Sequence, residues 1–201
     1  MAGITLSNSS ATLLEKINIV SNSTSKLGGT INVAGFRNLT EFSLTASGIT
    51  SFVSNNKLLS LELSGNNLSN FPTLSSIPNL KTLIISNDNV LSGSLPSFDS
   101  NNALETLNVS DNFLTGSLPD FKIIPALKIA DFRNNDFSGD IPALTANTKL
   151  TQFYTNGNNK LSGLVPELSA CSDLRNVNIS DNGLDGNFHD FHKTPELQTY
   201  H

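Results

Sequence analysis

Residues 104–119 read Leu-Glu-Thr-Leu-Asn-Val-Ser-Asp-Asn-Phe-Leu-Thr-Gly-Ser-Leu-Pro, and they are the clearest copy of a pattern that recurs along the chain. The same spacing of leucine, asparagine, glycine and proline returns eight times along the chain, followed by an incomplete ninth copy. The first leucines of these copies are separated by 19 to 25 residues and are Leu14, Leu39, Leu58, Leu80, Leu104, Leu127, Leu150, Leu174 and Leu197. A period of this length predicts a solenoid, in which each short unit buries its apolar face only against its neighbours.

The repeat can be written LxxLxLxxNxLxGxIP, and residues 127–142 (LKIADFRNNDFSGDIP) follow it closely. This form resembles the leucine-rich repeat of the plant-type subclass, and the resemblance extends over about residues 14–201. It implies a leucine-rich-repeat solenoid with a parallel β-sheet on the concave face, turns and short 3₁₀ segments on the convex side, and little α-helix. We therefore expect an N-terminal capping segment at residues 1–13, eight repeats at residues 14–196, and the start of an incomplete ninth repeat at residues 197–201.

The asparagine of the repeat is predicted to be structural. Where the chain turns out of the sheet, buried backbone groups lose their strand partners and need others. A side-chain amide both donates and accepts hydrogen bonds, so it can satisfy several such groups at once. The predicted structural asparagine ladder consists of Asn22, Asn66, Asn112, Asn135, Asn158 and Asn182, with Ser47 and Asp88 at the same position in two other copies.

The outward side chains of the strands are predicted to form the concave surface, which is the default binding face of a solenoid. Most of these side chains are small and polar, whereas binding hot spots are enriched in Trp, Tyr and Arg. Asp131, Arg133 and Tyr154 lie on adjacent predicted strands, and we interpret them either as a partner-binding anchor or as a neutralised pair on a solvated polar sheet. The full predicted partner-binding set is Ile84, Ile129, Asp131, Arg133 and Tyr154.

Composition restricts the partners. The formal net charge is −5 and the twelve Lys and Arg residues are scattered, which argues against a nucleic acid partner. No apolar run approaches the roughly 18 residues of a membrane span, and the first twenty residues show no signal peptide pattern, so we expect no membrane insertion. Charged residues are 14% of the chain, against roughly 25% in typical globular proteins, which favours an extracellular, cell-surface or virion-associated protein.

Catalytic chemistry is not indicated. Cys171 stands three residues before its leucine, where other copies place isoleucine, and this predicts a buried apolar role. His189, His192 and His201 do not have the spacing of a tetrahedral metal site. No Gly-x-Ser-x-Gly element occurs. We therefore predict no enzyme activity, no cofactor and no metal.

Three functions remain open from the residues. The first is a non-enzymatic interaction module that binds a protein or glycan partner through the concave face or the repeat-edge loops. The second is a structural or decoration component of a larger assembly, such as a viral particle, a phage tail or a cell-surface layer. Because the last copy carries no cap, this hypothesis predicts a subunit contact at the C-terminal end. The third is an ice- or carbohydrate-binding polar sheet.

Overall fold

The structure is a computed structural model that describes residues 13–21, 27–87, 90–186 and 196–201. The predicted capping segment, apart from its last residue, lies outside the described residues. So do Asn22, Asp88, His189 and His192. All statements below concern the described part of the chain.

Nine parallel strands form one continuous sheet, and each strand pairs with the corresponding strand of the next coil. For example, Leu107 pairs with Leu83 on one side and with Ala130 on the other. The strands are β1 (Lys16–Val20), β3 (Glu41–Thr45), β5 (Ser60–Glu62), β6 (Thr82–Ile84), β8 (Thr106–Asn108), β10 (Ile129–Asp131), β12 (Gln152–Tyr154), β14 (Asn176–Asn178) and β15 (Thr199–Tyr200). The predicted fold, a leucine-rich-repeat solenoid with a parallel concave sheet, is confirmed.

The core is a continuous apolar column inside the coils. The middle residue of each three-residue concave strand is buried, and the first leucines of the copies from Leu39 to Leu174 are fully buried beside it. At β10 the middle residue is the small Ala130, and phenyl rings fill the space around it. Phe121 makes edge contacts with Phe132 at 5.9 Å and with Phe153 at 5.7 Å between ring centroids. Such tilted aromatic pairs add specific stabilisation beyond the burial of their area.

An asparagine side chain holds the turn after most concave strands. In Asn158, Nδ2 donates to the carbonyl oxygens of Phe132 at 3.0 Å and Thr155 at 2.8 Å. Its Oδ1 accepts from the backbone N–H of Phe137 at 3.1 Å. One buried side chain thus satisfies groups of its own coil and of the preceding coil. The same donor pattern occurs at Asn66, Asn112, Asn135 and Asn182.

Ser47 takes the ladder position in its coil and bonds fewer groups. Its hydroxyl donates to the carbonyl oxygen of Thr45 at 2.9 Å, within its own strand. Its backbone N–H donates to Oδ1 of Asn66 in the next coil at 3.1 Å. The hydroxyl of Ser47 thus bonds its own coil, whereas Nδ2 of a ladder asparagine such as Asn66 also donates to the preceding coil.

Further strands lie beyond the ladder and are not predicted by the repeat pattern. A four-stranded parallel sheet consists of β7 (Ser92–Ser94), β9 (Phe113–Gly116), β11 (Asp136–Asp140) and β13 (Lys160–Ser162), and a separate pair consists of β2 (Thr30–Asn32) and β4 (Ser51–Val53). Short Ser-Gly-rich segments lack the apolar alternation that identifies a strand in a sequence. The expected 3₁₀ segments are present at Leu74–Ser76 and Phe121–Ile123.

A second set of asparagines stabilises the convex side. Asn55, Asn101 and Asn147 are buried, and Nδ2 of each donates to a carbonyl oxygen of the preceding coil at 2.9 to 3.0 Å. They stand three residues before the first leucine of alternate copies. The intervening copies carry apolar residues there, namely Phe36, Ile77, Ile124 and Cys171.

In each of seven coils the residue at one fixed repeat position, just after the concave strand and its short extension, has a positive φ. The residues at this position, from the second copy to the eighth, are Ala46, Gly65, Asn87, Asp111, Asn134, Gly157 and Asp181, with φ between 53° and 74°. Glycine, asparagine and aspartate are the residues that tolerate this left-handed region best. Ala46 is the exception, so its backbone is strained relative to the others.

Removing the amide of Asn158 should strongly destabilise the solenoid. We expect Asn158→Ala to lower the free energy of unfolding by about 3 to 5 kcal/mol, because three buried backbone groups lose their partners. Urea denaturation followed by circular dichroism measures the change. The matched control is Asn159→Ala at the neighbouring exposed position, which should stay within about 0.5 kcal/mol of the original protein. Equal losses in both variants would contradict the structural role of the ladder.

Opposite substitutions at one repeat position should have opposite effects. Ala46→Gly should raise the free energy of unfolding by about 0.5 to 1 kcal/mol, because relief of the left-handed strain exceeds the added flexibility of the unfolded chain. Gly65→Ala, in the adjacent coil at φ 68°, should lower it by about 1 kcal/mol. The same urea titrations give both values. A shift in the same direction for both variants would refute the argument.

Candidate binding face

In the three-residue strands of the concave sheet the middle residue points into the core and the first and third residues face outward. These outward residues are partly exposed, except for Asp131, which is buried. In β12, Phe153 is buried, whereas Gln152 and Tyr154 are partly exposed. The register of the sheet places Tyr154 opposite Asp131 on β10 and opposite Asn178 on β14. Side chains of neighbouring coils therefore meet across the face at a strand spacing of about 4.8 Å.

Asp131, Arg133 and Tyr154 form a contact cluster on this face. The guanidinium of Arg133 lies 3.0 Å from Oδ2 of Asp131 and 5.5 Å from the centroid of the Tyr154 ring. The backbone N–H of Arg133 donates to Oδ1 of Asp131 at 3.3 Å. The Asp131 side chain is only 4% exposed, whereas that of Arg133 is 43% exposed. Asp131 is therefore placed to orient Arg133, and the guanidinium and ring are the groups that a partner can reach.

Burial dominates the electrostatics of this cluster. Desolvation raises the pKa of Asp131, and the nearby Asp111 raises it further, while Arg133 acts in the opposite direction. The folded chain therefore binds the Asp131 proton more tightly than the unfolded chain does. The stabilising contribution of protonated Asp131 to the free energy of unfolding is complete below the pKa of the unfolded chain, and it is lost as the pH rises through the pKa of the folded chain. Desolvation and Asp131 also raise the pKa of Tyr154. The tyrosine hydroxyl consequently stays protonated, and it can donate a hydrogen bond at neutral pH.

The two predicted isoleucines are not next to this cluster. Ile84 on β6 pairs with Asn108, and Asn108 in turn pairs with Asp131, so one polar strand separates Ile84 from the cluster. Ile129 begins β10 and lies opposite Gln152, at the other end of the strands from Arg133. Both side chains are partly exposed. They remain predicted contact residues, but the structure does not join them to Tyr154 in one apolar patch.

Side-chain amides lie on the β14 side of Tyr154 and were not singled out by the sequence pattern. Gln152 pairs with Asn176 and Tyr154 with Asn178 across β12 and β14. Nδ2 of Asn176 donates to the hydroxyl of Thr199 at 3.3 Å. The sequence feature that could have indicated them is the recurrence of amide residues at the outward positions of β12 and β14. It gives this end of the face uncharged donors and acceptors beside one aromatic ring.

Cys171 lacks the environment of an activated thiol. Cys171 is fully buried, and burial raises the pKa of its thiol to about 11, so the thiol is protonated at neutral pH. Its Sγ lies 3.7 Å from the carbonyl oxygen of Leu144. Within the described ranges no group of His, Cys, Asp or Glu is arranged to hold a metal ion. No helix in those ranges has the length and apolar character of a membrane span.

Comparison with known proteins identifies the repeat. The family model described as Leucine Rich Repeat matches residues 103–121. No curated protein sequence matches the chain. Solved structures do match over most of its length.

Several solved structures of plant receptors are similar to this chain. One is the plant peptide hormone receptor RGFR1 in complex with RGF2, which is 30% identical with a TM-score of 0.73, over 84% of this chain and 29% of the receptor. Another is the leucine-rich-repeat ectodomain of the Arabidopsis receptor kinase HAESA in complex with an extended IDA peptide hormone ligand, which is 29% identical with a TM-score of 0.74, over 91% of this chain and 34% of the receptor. The chain therefore spans about a third of the length of these receptors.

A bacterial protein shares the fold at lower identity. The Leptospira interrogans leucine-rich-repeat protein LIC12759 is 21% identical with a TM-score of 0.70, over 84% of this chain and 44% of that protein. The repeat sequence and the parallel concave sheet agree with these similarities. The chain is a leucine-rich-repeat protein with repeats of the plant type.

Proposed function

We propose that this chain is a non-enzymatic interaction module that binds an extended protein or peptide segment on its concave face. The Asp131, Arg133 and Tyr154 cluster is the proposed anchor. The observation that carries the proposal is that a buried carboxylate and an aromatic ring hold an exposed guanidinium in one orientation. A side chain that is ordered before binding loses less conformational entropy when the partner arrives. Tyr and Arg are also the residue types that most often dominate binding energies.

The compared structures support a peptide ligand. The RGFR1 structure contains RGF2, and the HAESA structure contains an IDA peptide hormone. A peptide lying across the nine concave strands would span about 38 Å, which an extended chain of about 11 residues can cover. The same similarities support an extracellular or cell-surface location for this chain. A glycan ligand stays a prediction, favoured by the uncharged amides beside Tyr154.

The alternative functions remain predictions from the sequence. A structural component of a larger assembly would use the ends of the solenoid, and the contact at the C-terminal end is proposed only within that hypothesis. An ice- or carbohydrate-binding sheet would use the polar outward residues of the strands. Neither hypothesis requires the ordered guanidinium, and the interaction module is therefore the function that the concave face supports best.

Selection from a displayed library of random peptides of about 12 residues tests the proposal. Binders of the folded chain are synthesised and measured by calorimetry against Arg133→Ala and Tyr154→Ala. We expect each variant to weaken binding at least about tenfold, because the anchor loses either its cation or its aromatic support. Tyr154→Phe retains the ring and should retain most of the affinity.

Arg175→Ala is the matched control, because it removes an exposed arginine that lies just before β14 and outside the cluster. Binding to this variant should change less than about twofold. Peptides whose affinity is the same for the original chain and for both cluster variants would overturn the proposed site. Failure of every peptide, with binding of soluble oligosaccharides that requires Tyr154, would favour the glycan ligand instead.

A further inference from the structure

One phenylalanine of the described chain projects into solvent. Phe113 is 59% exposed, whereas the other phenylalanines in the described ranges are buried or partly buried. It begins β9, and its backbone N–H donates to the carbonyl oxygen of Leu91 at 3.0 Å. Val90, 47% exposed, precedes Leu91, so two exposed apolar side chains occupy neighbouring coils. Other coils carry glycine, asparagine or charged residues at this place in the turn, such as Gly48, Asn67 and Asp136.

An acidic residue accompanies this apolar pair. Asp111 is exposed, two residues before Phe113, at one of the positive-φ positions. Its Oδ1 accepts a hydrogen bond from Nδ2 of Asn134 at 2.7 Å. In the described part of the chain it has no ion-pair partner. The edge that follows the concave strands therefore presents an aromatic side chain with an uncompensated carboxylate beside it.

The opposite edge carries the complementary features. A cavity of about 350 Å³ is lined by Glu15, Arg37, Asn38, Thr40 and Lys57. Its volume lies within the range of small-molecule pockets, about 300 to 1,000 Å³, and is larger than a phenyl ring. Arg37 and Lys57 are exposed and form no ion pair with any described residue. Two cations against one carboxylate leave the lining with a net positive charge.

The fold places these two features at opposite ends of the concave strands, and these ends form the two long edges of the solenoid. All concave strands run in parallel, so residues that precede a strand lie at one edge and residues that follow a strand lie at the other. Arg37 and Lys57 precede β3 and β5, whereas Asp111 and Phe113 follow β8. One molecule therefore cannot insert its own Phe113 into its own cavity.

We propose that a second copy of this chain docks edge to edge, inserting Phe113 into the cavity lined by Arg37 and Lys57 and pairing Asp111 with one of these cations. Charge complementarity identifies the occupant, because one edge carries two cations and the other a carboxylate, none of which has an ion-pair partner among the described residues. The contact uses different surfaces on the two copies, so it leaves one cavity and one phenylalanine free. Such heterologous contacts extend into open rows unless the rotation closes a ring.

Sedimentation velocity over a range of concentrations tests this contact. One inserted side chain and one ion pair make a small interface, so we expect association in the range of about 0.1 mM. The average mass should rise with concentration beyond that of a dimer. Raising the ionic strength should weaken the association, because the charged groups lie at the surface.

Substitutions on either edge should prevent association. Phe113→Ser and Lys57→Glu should each lower the association constant at least about tenfold. Lys149→Glu is the matched control for Lys57, because both lysines immediately precede the first leucine of their copy. Leu164→Ser controls for loss of an exposed apolar side chain, since Leu164 is 71% exposed elsewhere on the solenoid. Both controls should associate like the original chain, within about twofold.

A mixture of the two defective variants provides the sharper test. Phe113→Ser keeps an intact cavity and Lys57→Glu keeps an intact phenylalanine, so equal amounts should form one-to-one heterodimers that cannot grow further. Monomeric behaviour of the original chain up to about 1 mM would overturn the proposal, as would association that Phe113→Ser leaves unchanged. An absence of heterodimers in the mixture would also overturn it. None of these readouts involves the concave cluster, so the proposed peptide-binding function stands or falls separately.

Discussion

The structure depends on satisfying the backbone groups at the point where the chain leaves the concave sheet. Each coil must turn there, and a buried N–H or carbonyl without a partner costs about 1 to 3 kcal/mol. In most coils one ladder asparagine meets this need, and it bonds the preceding coil as well as its own, as Asn158 does. The second sheet can follow directly because the chain emerges from the turn with its bonding satisfied. The ladder is therefore what connects local sequence to the stacking of coils.

The parts of the fold that a single coil determines could be predicted from the sequence. Leu107 and Val109 alternate as strand residues must, and Asn112 stands where the turn needs an amide, so the concave sheet and the ladder follow from one copy. Features that depend on the neighbouring coil could not. The second sheet needs Ser92 to lie beside Phe113 of the next coil, and the Asp131, Arg133 and Tyr154 cluster needs β12 to lie beside β10. The residue pattern of a single copy does not predict these contacts between neighbouring coils.

The candidate site shows how a face of mostly small polar side chains can still select among partners. Most outward residues of the concave sheet are small, so the face offers a ligand little surface relief for shape complementarity. One guanidinium, which is bonded to a buried carboxylate and lies over an aromatic ring, then defines a fixed contact point for a ligand. A cation in a constrained position discriminates among partners by geometry as well as by charge. The proposed anchor and the proposed edge contact occupy different surfaces, so one chain can use both at once.

The convex asparagines have a consequence for the growth of the molecule. Asn55, Asn101 and Asn147 are spaced by 46 residues, which is two coils, with apolar residues at the intervening positions. Asparagine and apolar residues thus alternate from coil to coil along the convex side. Duplication or loss of two consecutive coils preserves this alternation, whereas a change of one coil places two amides or two apolar side chains in adjacent coils. The unit that this solenoid can gain or lose most easily is therefore a pair of coils, although the sequence repeat is a single one.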